Sequence, residues 1–184
     1  MTNRLFIALD LPENIVREIS EIRKSIYNDE NIRWEPEEKL HITLKFLGDV
    51  NTNLIPAISQ VIESVCADNG EIELKYKSFG YFFRKGVPKI LWLGFDYQEN
   101  LINLNNKLNE SLESLGFEKE KRNFKPHLTL LRIKGREDFK KLDDFLEYKL
   151  PGKSFYCSSV TLFKSELKPS GSVYTSIKNF KLKS

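Results

Sequence analysis

The sequence predicts an α+β protein built as two pseudo-symmetric lobes, with mixed, largely antiparallel sheets flanked by helices and a cleft between the lobes. Three observations carry this expectation. Apolar residues switch repeatedly between a period of 2 and a period of 3.6, the order of those segments repeats in the two halves of the chain, and the only two histidines fall in the same short pattern, one per half.

The elements follow in order. RLFIALD opens the chain as a strand. Leu11, Ile15, Ile19, Ile22 and Ile26 then recur at helical spacing around Pro12, a residue favoured in a first helical turn, and predict an amphipathic helix over about 12–27. HITLKFLG reads as the second strand. Leu54, Ile58, Val61, Ile62 and Val65 form a second helical stripe that Asn69-Gly70 ends, and IELKY alternates like a half-buried strand. In the second half ILWLGF is a short apolar run suited to a central strand, and Leu101, Leu104, Leu108, Leu112 and Leu115 mark a helix closed by Gly116. HLTLLR is the next strand, Phe139, Leu142 and Phe145 mark another helix, and FYCSSVTLF and SVYTSI return to strand composition. Duplication of a βαβαβ-like lobe is the simplest account, within one bilobal domain over 1–184.

Composition bounds the function. A chain of 184 residues that is 40% hydrophobic and 30% charged, with thirteen Phe, buries a core without metals or disulfides. No stretch reaches the roughly 20 apolar residues of a membrane span, and Asp10 interrupts the start too early for a secretory leader, so the expected location is the cytoplasm. Cys66 and Cys157 lack CxxC spacing and are expected as buried free thiols. A formal net charge of +3 is too small to argue by itself for a polyanionic partner. However, Lys121, Arg122, Lys125, Arg132, Lys134 and Arg136 crowd around the second histidine, as a solvated loop or as an anion-attracting rim.

The two histidines stand in Leu40-His41-Ile42-Thr43-Leu44 and Pro126-His127-Leu128-Thr129-Leu130, so both read H-x-T-L. Side chains alternate faces along a strand; each His therefore shares a face with its Thr while Ile42, Leu44, Leu128 and Leu130 turn to the core. One histidine on a strand is more often structural than catalytic, but two in matched contexts point to a pair. Imidazole has an ordinary pKa of about 6.5, which lets one ring act as base while another acts as acid. Phosphodiester hydrolysis needs that combination: attacking water loses a proton, the departing oxygen gains one, and hydroxyl donors such as Thr43 and Thr129 can steady the phosphate.

These motifs resemble those of the 2H phosphoesterase superfamily. RLFIALDLPE, IRWEPEEKLHITLKFLGDV, FKPHLTLLRI and SVTLFKSELKPSGSVYTSI resemble, in order, segments of its RNA 2′,3′-cyclic phosphodiesterase branch, formerly described as 2′-5′ RNA ligases. The resemblance implies opening of 2′,3′-cyclic phosphates on RNA ends or small cyclic nucleotides to 2′-phosphomonoesters, with no metal or cofactor and no obligate protein partner, by a monomer. It casts His41 as proton donor to the leaving 3′ oxygen, His127 as the base, Thr43 and Thr129 as phosphate ligands and Arg132 as the arginine near the phosphate. Alternation opposes the last assignment, because residue 132 has the wrong parity relative to His127, so a bulge, a strand end or a long reach is required. Phe6, Trp34, Phe46 and Tyr174 are each either core or a platform for a base, and Trp34, in a polar segment without apolar periodicity, is the first choice for substrate contact.

Two rival functions use the same residues. One is an RNA end-binding module without turnover; the other is 2′-5′ ligation by the reverse chemistry. A zinc fold is disfavoured because Cys66, Cys157 and the two histidines lack zinc-site spacing, and the chain has no HExxH, Walker-type loop or GxSxG elbow.

Overall fold

Period-2 and period-3.6 segments become strands and helices in the expected order. A computed structural model describes residues 1–169 and 171–183. The first half runs β1 (Thr2–Asp10), α1 (Glu13–Ile26), β2 (His41–Asn51), α2 (Ile55–Ala67) and β3 (Ile72–Arg84). The second runs β4 (Val87–Phe95), α3 (Glu99–Glu113), β5 (His127–Arg132), α4 (Phe139–Glu147), β6 (Ser154–Cys157), β7 (Ser159–Lys168) and β8 (Gly171–Lys181). The helical stripes sit where the spacing puts them. Ile15, Ile19 and Ile22 of α1, Ile58, Ile62 and Val65 of α2, and Leu101, Leu104, Leu108 and Leu112 of α3 are buried. At the start of α4 the Asp138 carboxylate accepts from the Lys140 backbone N–H at 2.9 Å, satisfying one of the free donors of the first turn.

All eight strands join one sheet in the order β6-β3-β4-β5-β2-β1-β7-β8. Every ladder between these strands is antiparallel, so the parallel pairing that a mixed sheet would contain does not occur among them. The sheet divides into a β2-β1-β7-β8 lobe and a β5-β4-β3-β6 lobe, joined at a seam where β2 and β5 meet through the pair Ile42↔Leu128.

The lobes do not coincide with the sequence halves. β3 belongs by sequence to the first repeat but pairs with β4 of the second, while β7 crosses back to pair with β1. Helices follow the same exchange: α2 lies against α3 and β8, and α1 lies beside α4, which covers β3. FYCSSVTLF, read as one strand, breaks at Ser158 into β6 and β7, which pair in different lobes. That break is possible because the sheet curls until its edges approach. The Leu182 N–H donates to the Ser158 carbonyl, and residues 182–183, just past β8, lie alongside residues 69–71, just before β3.

Cys66 and Cys157 are buried free thiols, as expected, and burial pushes each up to about 12, far from the reactive thiolate range. Among the described residues no helix is long and apolar enough to cross a membrane.

Trp92 of β4 shows how tightly the second lobe is filled. Its indole covers Gly80 and Gly94, and a Cβ at Gly80 would stand 2.4 Å from Trp92 Cζ2. Gly80→Ala is therefore expected to cost about 1–3 kcal/mol by overpacking. Gly152→Ala, where nothing lies within 4 Å, should stay within about 0.5 kcal/mol of the parent. Urea denaturation of both variants tests this, and equal midpoints would show that the indole moves aside freely.

Candidate active site

Both motif strands carry the same irregularity. Ala8 pairs with Thr43 and Ile7 with Lys45, leaving Leu44 as an extra residue on β2. Trp92 pairs with Thr129 and Leu91 with Leu131, leaving Leu130 as an extra residue on β5. Before each bulge, alternation holds: Ile42 and Leu128 are fully buried, whereas His41, Thr43, His127 and Thr129 are half-buried on the other face. After it the parity reverses. Leu130 and Leu131 both point into the core, and Arg132 emerges on the same cleft as the histidines. The parity objection to Arg132 is thus resolved by a bulge. On β2 the residue in the corresponding place is Phe46, 72% exposed and lining the same cleft.

Each bulge carbonyl has its own donor. Asn105 of α3 donates Nδ2–H to the Leu44 carbonyl at 2.7 Å, and the Glu35 backbone N–H donates to the Leu130 carbonyl at 2.8 Å. Asn105 belongs to a buried network in which Lys45 Nζ donates to Asn109 Oδ1 at 2.6 Å and to the Glu118 carbonyl at 2.7 Å. Burial pulls the Lys45 ammonium below its ordinary range, with Glu120 and Glu113 opposing. This network ties the start of the loop that leads to His127 onto β2. Its signal in the sequence is the pair of asparagines, Asn105 and Asn109, interrupting the leucine stripe of α3, since buried polar groups at such positions require partners.

At the seam the antiparallel register about Ile42↔Leu128 sets His41 across from Thr129 and Thr43 across from His127. The two imidazoles are then diagonal neighbours, a relation that spans about 7–8 Å between residue positions in an antiparallel pair. His127 Nδ1 lies 2.8 Å from the Lys125 carbonyl, which makes it the donor there and leaves Nε2 to face the cleft. Beside His41 the Lys39 backbone, likewise two residues back, favours the protonated ring.

The surroundings of the two rings differ. His41 packs against Phe6 at 5.0 Å, Phe163 at 5.8 Å and the edge of Tyr174 at 5.5 Å. His127 meets Phe82 edge-on at 4.8 Å. Burial lowers both pKa values; it is the main cause of bringing that of His41 to about 4, with Arg132 and His127 acting in the same direction and the Lys39 backbone opposing. In the free protein both shifts favour the neutral imidazole at pH 7. Across the first ladder His41 is paired with Asp10, whose Oδ2 accepts from Ser159 Oγ, Thr161 Oγ1 and Asn179 Nδ2 at 2.7–2.9 Å. Burial still raises the Asp10 pKa against those three donors. Sequence reasoning missed this cluster, whose members lie on three strands.

The cleft has a volume of about 1130 Å³ and brings together His41, His127, Thr43, Thr129 and Arg132. Arg4, Lys39, Lys45, Arg122 and Lys125 also line it, against Glu35 and Glu120, so it is a basic surface on a nearly neutral chain. Phe6, Phe46 and Tyr174 are in its wall, and Lys39 Nζ stands 5.8 Å over the Tyr174 ring. Trp34, the first choice from sequence, is not. It packs against Phe145 of α4 at 5.5 Å and Tyr27 at 6.4 Å, with the Arg23 guanidinium over its ring, on the helix side of the sheet. The segment holding it runs beside β5, pairing Trp34 with Leu131, so alternation sends Trp34 to the core and its neighbour Glu35 to the cleft. Among the described residues no grouping of three or more His, Cys, Asp or Glu side chains is arranged to hold a metal ion.

Comparison with known proteins agrees with this architecture. The chain is 36% identical over 179 residues to the RNA 2′,3′-cyclic phosphodiesterase of Methanocaldococcus jannaschii, covering 96% of this chain and 99% of that protein. It is 32% identical to the RNA 2′,3′-cyclic phosphodiesterase of Thermotoga maritima, over 93% and 91% of the two chains. Among solved structures, E. coli LigT complexed with 3′-AMP superposes with a TM-score of 0.77 at 28% identity over 100% of both chains. The family model of the 2′-5′ RNA ligase superfamily matches residues 11–169, and with matches of this extent to sequence and fold alike, the chain belongs to that superfamily.

Proposed function

We propose that this protein hydrolyses the 2′,3′-cyclic phosphate of RNA ends and small nucleotides to a 2′-phosphomonoester, without a metal. The observation that carries this reading is the placing of two imidazoles and two threonine hydroxyls on one face of adjacent strands. The names of the relatives from M. jannaschii and T. maritima support the substrate class.

In the proposed reaction a water attacks phosphorus in line with the 3′ oxygen. His127 Nε2 takes the proton of that water, the P–O3′ bond breaks, and His41 gives a proton to O3′, so the 2′ ester is retained. Thr43 and Thr129 donate to the non-bridging oxygens, and Arg132 balances their charge. Phe46, exposed beside Phe6 at 6.0 Å, offers its face to the terminal base. A ring with a pKa of about 4 is a poor proton carrier in the free protein. The arriving phosphate anion changes that, because a negative charge beside His41 favours the imidazolium.

Two outcomes are expected. With EDTA present, nucleoside 2′,3′-cyclic phosphate should be converted to the 2′-monophosphate, and His41→Ala or His127→Ala should each lower kcat by about 10²–10⁴. Binding of the cyclic nucleotide with no turnover by the parent protein would favour an end-binding module instead, and 2′-5′-linked products would favour ligation.

The second concerns pH. One ring must be protonated and one neutral, and both are depressed below 6.5 in the free protein. Hence kcat/KM, which reports the free enzyme, should peak below about pH 6.5 and already be falling at neutrality. In the bound state the phosphate holds the proton, so the basic limb of kcat should lie at higher pH than that of kcat/KM. Initial rates from about pH 4.5 to 9 test this; superimposable profiles for the two constants would contradict it.

A further inference from the structure

Resting on the reaction proposed above, we infer that Glu35 is the positioning residue for Arg132: its carboxylate takes the Nε edge of the guanidinium and aims the other edge at the phosphate. The Arg132 Nε–H donates to Glu35 Oε1 at 3.0 Å. Arg132 is the more exposed partner, with 56% of its side chain accessible against 19% for Glu35. A free arginine on a strand end samples many rotamers. One gripped through Nε keeps Nη1 and Nη2 for a second acceptor in a fixed plane, which is the geometry that bidentate phosphate recognition uses.

Glu35 is suited to this task because its own backbone is held on both sides. Its N–H donates to the carbonyl of the bulge residue Leu130, and its carbonyl accepts from Arg23 Nη1 at 2.7 Å. Arg23 is itself buried, donating through Nη2 to Ser20 Oγ at 2.8 Å and covering the Trp34 ring. The anchor therefore runs from α1 through the Trp34-Glu35 segment to the bulge that aims Arg132. None of these backbone bonds needs a particular side chain at 35, so the residue can be changed without removing its supports. A merely electrostatic role predicts the opposite effect: a carboxylate in a cleft built for an anion repels phosphate, and its removal would tighten binding.

The test compares Glu35→Ala, Glu35→Gln, Arg132→Ala and the double variant with the parent. The readouts are KM and kcat for 2′,3′-cyclic AMP, and the affinity for inorganic phosphate by calorimetry. Glu35→Ala is expected to raise KM and weaken phosphate about three- to tenfold, with kcat changed less than about threefold. Glu35→Gln, whose amide oxygen can still accept from Nε, should recover most of that loss. In the Arg132→Ala background, Glu35→Ala should add nothing, because its effect passes through the guanidinium. The inference is overturned if Glu35→Ala leaves phosphate affinity unchanged or tightens it, or if its full cost persists without Arg132. Absence of turnover in the parent would defeat the proposed reaction alone, since the phosphate titrations still read the Glu35–Arg132 pair.

Discussion

The molecule depends on the seam between β2 and β5. There the two lobes of the sheet meet through Ile42↔Leu128. On one face of that seam Ile42, Leu44, Leu128 and Leu130 are buried in the core, and each such side chain contributes about 1.5–3 kcal/mol when fully buried. On the other face lie the two histidines and two threonines. Because successive residues of a strand serve opposite faces, the apolar residues that fasten the lobes together are the ones that hold the polar residues in register. A slip of one position would expose the four apolar residues and bury the imidazoles, and the cost of that exchange specifies the register.

Near-symmetry at the seam explains both the likeness and the difference of the two halves of the site. Matching bulges at Leu44 and Leu130 turn Phe46 and Arg132 onto the cleft in equivalent places. One offers an aromatic face and the other a guanidinium, so a pseudo-twofold scaffold presents two unlike walls. The environments of the rings diverge in the same way, with a cluster of Phe6, Phe163 and Tyr174 around His41 and Phe82 at the edge of His127. A symmetric pair of imidazoles has no preferred direction of proton transfer. Unequal surroundings supply one.

Local periodicity made the elements and the paired motifs legible, because burial of one strand face and one helix stripe writes itself into the sequence. What it did not convey is where each element packs. The exchange of β3 and β7 between lobes and the break of FYCSSVTLF at Ser158 arise from the curl of the sheet, which brings distant edges together and leaves no local trace. Arg132 was identified by resemblance against its parity, and the Leu130 bulge reconciles the two. No apolar periodicity accounts for Trp34, because its partners are Tyr27, at the end of α1, and Phe145 on the distant α4. The same short stretch sends Glu35 to the cleft, a placement set by pairing beside β5 that a reading without that pairing could not supply.

Desolvation connects this architecture to the proposed chemistry. Burial among three aromatic rings, with Arg132 and His127 acting in the same direction, brings the His41 pKa down to about 4. Burial thus opposes positive charge on the rings, although basic residues line the cleft. In the proposed reaction an anionic phosphate would reverse the balance at one step, pairing with Arg132 and favouring protonation of the ring beside it. Substrate and proton would then be bound together. The inferred role of Glu35 fits the same logic: a carboxylate bonded to Arg132 Nε would hold the guanidinium from the side and leave the phosphate as the anion closest to the imidazoles.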